Sequence, residues 1–304
     1  MKKPSPFSIR NIAFALAAAL SLAVLPTVQA SLLVQDQFSY SAADVVGDNG
    51  GTGWLNAWYN PPSGGFAPWG GLAMGNRNAD APVVSPGLTY STLSTADNSL
   101  SVGGKSAMRQ WDFAGSGLTS ANGNSLWVSF LVDPTSVLNK IFVLPFGNIV
   151  AATPNYQYGA GAILNYASGW TIGPQIRTGG TSTYAAPGTT ISLNQNQTYL
   201  VVMQFIYNGG AGADVENMWV DPTLTGSSPD GTELTATGTL DLSGWLLIRG
   251  GSTATGFIDE INIGNTYSDV VPVPEPSTLA LTLIGGFMGL VVFRRRSKAL
   301  NPCQ

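Results

Sequence analysis

Between residues 32 and 264, apolar positions return at every second residue in short runs. No stretch holds the three-and-four spacing of an amphipathic helix over a convincing length. The cleanest run is 125–132, where Leu126, Val128, Phe130 and Val132 fall on one face of an extended chain and Trp127, Ser129 and Leu131 on the other. Residues 198–207 are nearly continuous in apolar and aromatic side chains, the mark of a central strand covered on both faces. Further strands are predicted at 32–40, 105–113, 140–146, 158–166, 170–176, 217–220, 245–249 and 257–263. Gly-Gly, Asn-Gly, Asp-Gly and proline-containing segments separate them and supply turns. The run from Asn208 to Gly212 reads as a hairpin connection. Residues 47–75, dense in Gly, Pro and Trp, read as a long loop folded over one sheet. Roughly ten to twelve short strands in one domain predict an all-β chain, an antiparallel two-sheet sandwich of jelly-roll type. A propeller would need an internal repeat that the sequence lacks.

The two ends have a different pattern. Lys2, Lys3 and Arg10 precede an apolar stretch at 12–25, and Val28-Gln29-Ala30 fits the small-residue cleavage site of a secretory signal peptide, so the mature chain is expected to start at Ser31. At the other end, Pro274-Glu275-Pro276 is followed by an uncharged apolar run at 277–293 and then by Arg294, Arg295, Arg296 and Lys298. As a helix that run spans about 25 Å, just enough for a transmembrane segment, and the basic cluster keeps its end cytoplasmic. Two prolines around one carboxylate make a rigid, extended element at the membrane surface. The chain therefore divides into a signal peptide (1–30), a β-sandwich domain (31–271) and a C-terminal sorting segment (272–304).

The C-terminal pattern resembles the PEP-CTERM sorting signal of Gram-negative bacteria, with all three parts in order. The resemblance implies that Pro274, Glu275 and Pro276 are read by an exosortase, with Arg294, Arg295 and Arg296 as the basic stop. It also implies that the inner membrane is only a transient anchor, and that the product reaches the envelope or the medium. Segments of the middle region, Gln35 to Tyr40, Gly51 to Trp58, Leu126 to Phe130, Met218 to Pro222 and Phe257 to Gly264, resemble concanavalin A-like, laminin-G-like sandwich domains.

Charge and composition narrow the function. Between residues 31 and 273 six basic residues face sixteen acidic ones, a difference near −10. That charge opposes nucleic-acid binding, which depends on phosphate neutralisation, and favours solubility outside the cell. The only cysteine is Cys303, beyond the basic cluster, so the exported part has no disulfide and depends on its core. The chain has no histidine, which removes Ser-His-Asp triads, and a lone cysteine leaves no thiolate zinc site. No phosphate-cradling GxxxxGK element occurs.

Concanavalin A-like folds include glucanases, which need two carboxylates about 5 Å apart. None of Glu216, Glu233 and Glu260 has acidic neighbours at the required strand spacing, so no catalytic residue is assigned and no cofactor is required. Asp259, placed by strand alternation on the face of Phe257 and Ile261, is expected to play a structural hydrogen-bonding part. An oxygen-ligand calcium site is an option at Asp44, Asp48 and Asn49 or at Asp214, Glu216 and Asp221. For sugar binding, Trp54, Trp58, Tyr59 and Trp69 lie in the Gly/Pro-rich loop, where an indole face can stack on a pyranose. The competing expectation is that these rings tie the loop to the sandwich. Trp111, Trp127, Trp170, Trp219 and Trp245 sit in strand patterns and are expected in the core or on sheet faces.

The expectation from the sequence is an exported, exosortase-processed protein whose sandwich is a non-enzymatic interaction module, with extracellular polysaccharide as the partner implied by the resemblance. A polysaccharide-acting enzyme on the same scaffold and a purely structural matrix protein are the alternatives.

Overall fold

Alternation along Asn124–Pro134 sends Leu126, Val128, Phe130 and Val132 into one hydrophobic core and Trp127 and Leu131 into a second. The strand is thus covered on both faces, and the rest of the fold is built around it. The computed structural model describes residues 32–41, 43–58, 81–91, 98–113, 123–136, 139–147, 159–177, 189–209, 212–224, 228–240, 244–251 and 254–271. In chain order the strands are β1 (Leu32–Asp36), β2 (Val83–Val84), β3 (Ser99–Ser101), β4 (Ser106–Gln110), β5 (Asn124–Pro134), β6 (Asn139–Gly147) and β7 (Gly159–Tyr166). There follow β8 (Trp170–Arg177), β9 (Ile191–Leu193), β10 (Tyr199–Tyr207), β11 (Asp214–Val220), β12 (Leu234–Gly238), β13 (Trp245–Gly250) and β14 (Gly256–Gly264), closed by one helical turn, α1 (Tyr267–Val270).

All pairings are antiparallel. An eight-stranded sheet has the order β12-β11-β10-β5-β14-β3-β2, with β1 also paired to β14, and a six-stranded sheet has the order β4-β13-β6-β7-β8-β9. The main core lies between them, with Val128, Phe130, Val201, Met203 and Phe205 from the first sheet meeting Ile141, Val143, Leu164, Ile172 and Ile248 from the second. A smaller core on the outer face of the eight-stranded sheet joins Trp127, Leu131, Leu200, Val202 and Trp219 to Leu88, Tyr267, Val270 and Val271. Trp127 and Trp219 stack there at 5.8 Å between centroids. This is an all-β, two-sheet sandwich, as the alternation predicts.

The ten expected strands are all present, with ends shifted by a few residues at most places. The exceptions are 32–40, which stops at Asp36, and 217–220, which starts earlier at Asp214. The expected hairpin after Asn208 joins β10 to β11, with Gly209 at φ 59°. β2, β3, β9 and β12 were not expected. Three of them have only two or three residues, too few for alternation to register, and β12 is a threonine-rich edge strand exposed at alternate positions. The strand-face expectation for Asp259 needs correction. A register shift between Asp259 and Asn262 resets the period of two, so Phe257 packs on the outer core while Ile261 lies in the main one.

Among the described residues no helix is long and apolar enough to cross a membrane. The expected signal peptide, the apolar run at 277–293, and Pro274, Glu275, Pro276, Arg294, Arg295 and Arg296 lie outside the described residues, as do Tyr59 and Trp69.

Candidate functional site

Among the described residues, the densest polar constellation sits where an edge strand of each sheet meets the loop at 43–58. β1 lies at the border of the eight-stranded sheet and β4 at the border of the six-stranded one. The loop bridges both, through Gln35–Thr52 on one side and Trp54–Trp111 on the other. Gly51 and Gly53, at φ +75° and +78°, let the loop backbone press against β1, for a Cβ at Gly53 would fall on the Leu33 carbonyl oxygen and one at Gly51 on that of Gln35.

Arg109 crosses this seam. On β4 it shares the inward face with Ala107 and Trp111, so its guanidinium enters a region with no access to water; both it and Asp36 are 1% exposed. Nη1 donates to Asp36 Oδ2 at 2.6 Å and to the Tyr40 hydroxyl at 3.0 Å. Nε donates to the Asn56 carbonyl at 2.8 Å and Nη2 to Asn49 Oδ1 at 2.9 Å. The guanidinium carbon stands 4.7 Å from the Trp54 ring centroid and 5.7 Å from that of Trp58, a favourable placement for a cation. Asp36 Oδ2 also accepts from the Tyr40 hydroxyl at 2.7 Å and from Trp58 Nε1 at 2.9 Å, while Oδ1 accepts from the Phe38 N–H at 3.0 Å. Burial pushes the Asp36 carboxyl upward, and the hydrogen bonds from Tyr40, Phe38 and Trp58 together with the Arg109 charge pull against it. Burial and the adjacent Asp36 push the Tyr40 hydroxyl well above its ordinary range.

These contacts define what the loop aromatics do here. Trp58 is 1% exposed, stacks on Phe38 at 5.7 Å and gives its indole N–H to Asp36. A ring so enclosed offers no face to a sugar in this conformation; it walls in the ion pair. Trp54 is partly buried, gives its N–H to the Gln35 carbonyl and keeps some accessible surface. Of the four aromatics expected at a sugar site, the described structure therefore brings Trp54 and Trp58 together around Arg109.

The acids expected to share a calcium ion are engaged separately. Asp214 caps the ends of two connections, accepting from the Asn208 and Leu240 N–H groups at 2.8 and 2.7 Å. Asp221, at φ 52°, accepts from the Leu200 N–H. Glu216 points into the main core, fully buried, with Oε2 accepting from the Gly161 N–H at 3.1 Å and Oε1 without a partner. The reason is local: β6 and β7 lose register between Val143 and Phe146, around Pro145, and the Gly161 N–H turns to the carboxyl across the core. Desolvation raises the Glu216 pKa well above its ordinary value. In the other proposed cluster, Asn49 Oδ1 serves Arg109, whose positive charge opposes a cation there. Among the described residues no three acidic, histidine or cysteine side chains stand where they would hold a metal ion.

Asp259 and Asp269 complete the set. Asp259 accepts from the Leu88 and Glu260 N–H groups, both at 2.8 Å, and burial raises it to about 8. Asp269 Oδ2 accepts from the N–H groups of Asn265 and Thr266 ahead of α1. The carboxylates at 36, 214, 221, 259 and 269 thus share one role, satisfying backbone or guanidinium donors at places where the sheet ladder stops. The Arg109–Asp36 pair was not anticipated from the sequence. Its signal is an arginine in register with Ala107 and Trp111, since a charge at an inward strand position demands a buried partner.

The fold and these sites define an all-β sandwich braced by buried polar contacts. Comparison with known proteins adds the address. Residues 272–296 match the PEP-CTERM protein-sorting motif, which indicates an exported protein, sorted through a membrane-anchored stage in a Gram-negative bacterium and processed by an exosortase. No curated protein matches the chain. Among solved structures, an alginate lyase, Aly36B, in complex with alginate tetrasaccharide is similar at 9% identity and a TM-score of 0.40, over 76% of this chain and 96% of that one. The binding domain of botulinum neurotoxin serotype C1 is similar at 9% identity and a TM-score of 0.34, over 61% of this chain and 42% of that one.

Proposed function

We propose that the protein is an exported interaction module: a concanavalin A-like, jelly-roll sandwich that does no chemistry itself, is freed from its membrane anchor by an exosortase, and engages extracellular polysaccharide through its Gly/Pro-rich loop. The sorting motif at 272–296 carries the reading. The uses found for the carboxylates support a binding role over a hydrolytic one, because five of them are committed to backbone or guanidinium donors. Contact with a ligand falls to the accessible part of Trp54 and, on the expectation from the sequence, to Tyr59 and Trp69, while Trp58 ties the loop to Asp36. The polysaccharide partner rests on the resemblance drawn from the sequence.

Mass spectrometry of the mature protein from its native host tests the first half, with Ser31 expected as the N-terminus and the tail lost near Pro274. Recovery of the intact chain from the cytoplasm, with leader and basic terminus both in place, overturns it. Glycan-array binding tests the second half. Saturable binding abolished by Trp54→Ala with Trp69→Ala supports the module, whereas release of product from a glycan favours an enzyme.

A further inference from the structure

The described part of the sandwich ends at Val271, and in sequence the sorting motif follows at once. After β14 the chain turns through Asn265 and Thr266 into α1, and Tyr267, Val270 and Val271 are all buried on the outer face of the eight-stranded sheet, among Trp127, Leu131 and Trp219. Three hydrogen bonds secure this clasp. The Ser129 hydroxyl donates to the Val270 carbonyl at 2.6 Å, the Tyr267 hydroxyl to the Thr223 carbonyl at 3.0 Å, and the Val271 N–H to the Tyr267 carbonyl at 3.0 Å. The Tyr267 ring meets Trp127 edge-on at 5.6 Å. The matched motif starts at the next residue, Pro272.

We propose that this clasp is a steric gate on removal of the tail, so that the processing enzyme acts on the chain only when α1 and Val271 lift from the sheet. The inference rests on exosortase processing as proposed above. From Val271 to the start of the apolar run at Ser277 is six residues, a reach of at most about 20 Å. With the clasp shut and the apolar run seated in the bilayer, the sandwich would stay within that reach of it, and in the sequence only Pro272 and Val273 stand between Val271 and Pro274. Peptide-binding grooves take their substrates as extended chain over several residues, and the flank they would grip is here packed against Trp127. Lifting the clasp back to Gly264 lengthens the tether to thirteen residues, about 45 Å, and frees the flank. The opening is local, because α1 packs on the sheet face without being one of its strands.

Pulse-chase of the full chain in its native host, following loss of the tail by mass, tests the gate. Val270→Ala, which loses two buried methyl groups, is expected to speed tail loss about tenfold. An insertion of eight Gly and Ser residues between Val271 and Pro272, with the clasp intact, is expected to do the same. Ile172→Val, in the main core and remote from the clasp, is expected to leave the rate unchanged. An unchanged or slower rate in the insertion variant overturns the gate, and that variant decides the matter even if Val270→Ala fails to accumulate. Acceleration by Ile172→Val equal to that by Val270→Ala overturns it too, since global loosening would then explain the effect. A wild-type chain that never loses its tail refutes exosortase processing itself, an outcome distinct from processing that ignores the clasp.

Discussion

Replacing Arg109 by Met keeps most of the side-chain length but strands Asp36, which is 1% exposed and takes a 2.6 Å bond from Nη1. Breaking a buried ion pair from one side costs about 3 to 5 kcal/mol, because the remaining charge is left uncompensated. The Asn56 carbonyl and Asn49 Oδ1 also lose their donors. For a domain of this size the loss corresponds to a fall in Tm of roughly 10 °C. The sign of the pH dependence follows from linkage. Asp36 is already raised above its ordinary 3.8 by burial, and without the guanidinium it rises further. Below the raised pKa of Asp36 in the wild-type fold, both folds hold the proton and the deficit is at its smallest. Above the wild type's own raised pKa only the variant fold must keep the proton, so the deficit grows by up to about 1.4 kcal/mol per pH unit until Asp36 ionises in the variant fold too. Chemical denaturation of wild type, Arg109→Met, Asp36→Asn and the double variant at pH 4 and pH 7 measures this, with the double variant expected to recover about 2 kcal/mol relative to Arg109→Met at pH 7. A deficit below about 1 kcal/mol at pH 7, an equal deficit at both pH values, or a double variant no better than the single one refutes the account.

Glu216→Gln keeps an acceptor for the Gly161 N–H and removes a buried acid whose pKa is raised; it is expected to stabilise the fold at pH 7, with the gain fading as the pH falls toward 4.5, read from denaturation midpoints. Asp259, raised from 3.8 to about 8, makes the wild type lose stability as pH climbs through that window. Asp259→Asn should therefore flatten the decline between pH 4 and pH 7 by about 4 kcal/mol, measured by thermal melts across that range. Gly53→Ala forces a Cβ onto the Leu33 carbonyl at φ +78° and is expected to detach the loop from β1 at a cost of a few kcal/mol, detected as faster proteolysis within 43–58.

The long strands were legible because their two faces are chemically distinct. β5 shows this best, its alternate residues entering separate cores as the sequence pattern requires. β10 was legible as a covered strand for the complementary reason, that both its faces are apolar. What escaped reading depends on partners distant in sequence. Val83 and Val84 become a strand because Ser99 and Leu100 lie beside them, and two residues have no periodicity to detect. The bulge at Asp259 inverts the faces that simple alternation assigns, and nothing local announces it. Asp36 and Arg109 are seventy-three positions apart, so each looks like an ordinary surface charge until the sheet borders are brought together. Trp58 looked available for a ligand because it sits in a glycine-rich loop, and only the tertiary fold shows that its indole N–H is taken by Asp36.

The pairing of β1 with β14 joins the start of the folded region to its finish. β14 receives β5 along one border, and its other border is shared by β3 and β1. β14, which joins β5 to β3 and β1, is therefore among the last segments of the folded region to be made, and the larger sheet is completed only when it arrives. Six of the twelve strand pairings join strands that are not consecutive in the chain, and distant pairings of this kind slow folding. For a chain bound for export that order suits passage across the membrane before the larger sheet closes, because the strand that completes it is supplied by the far end of the folded region.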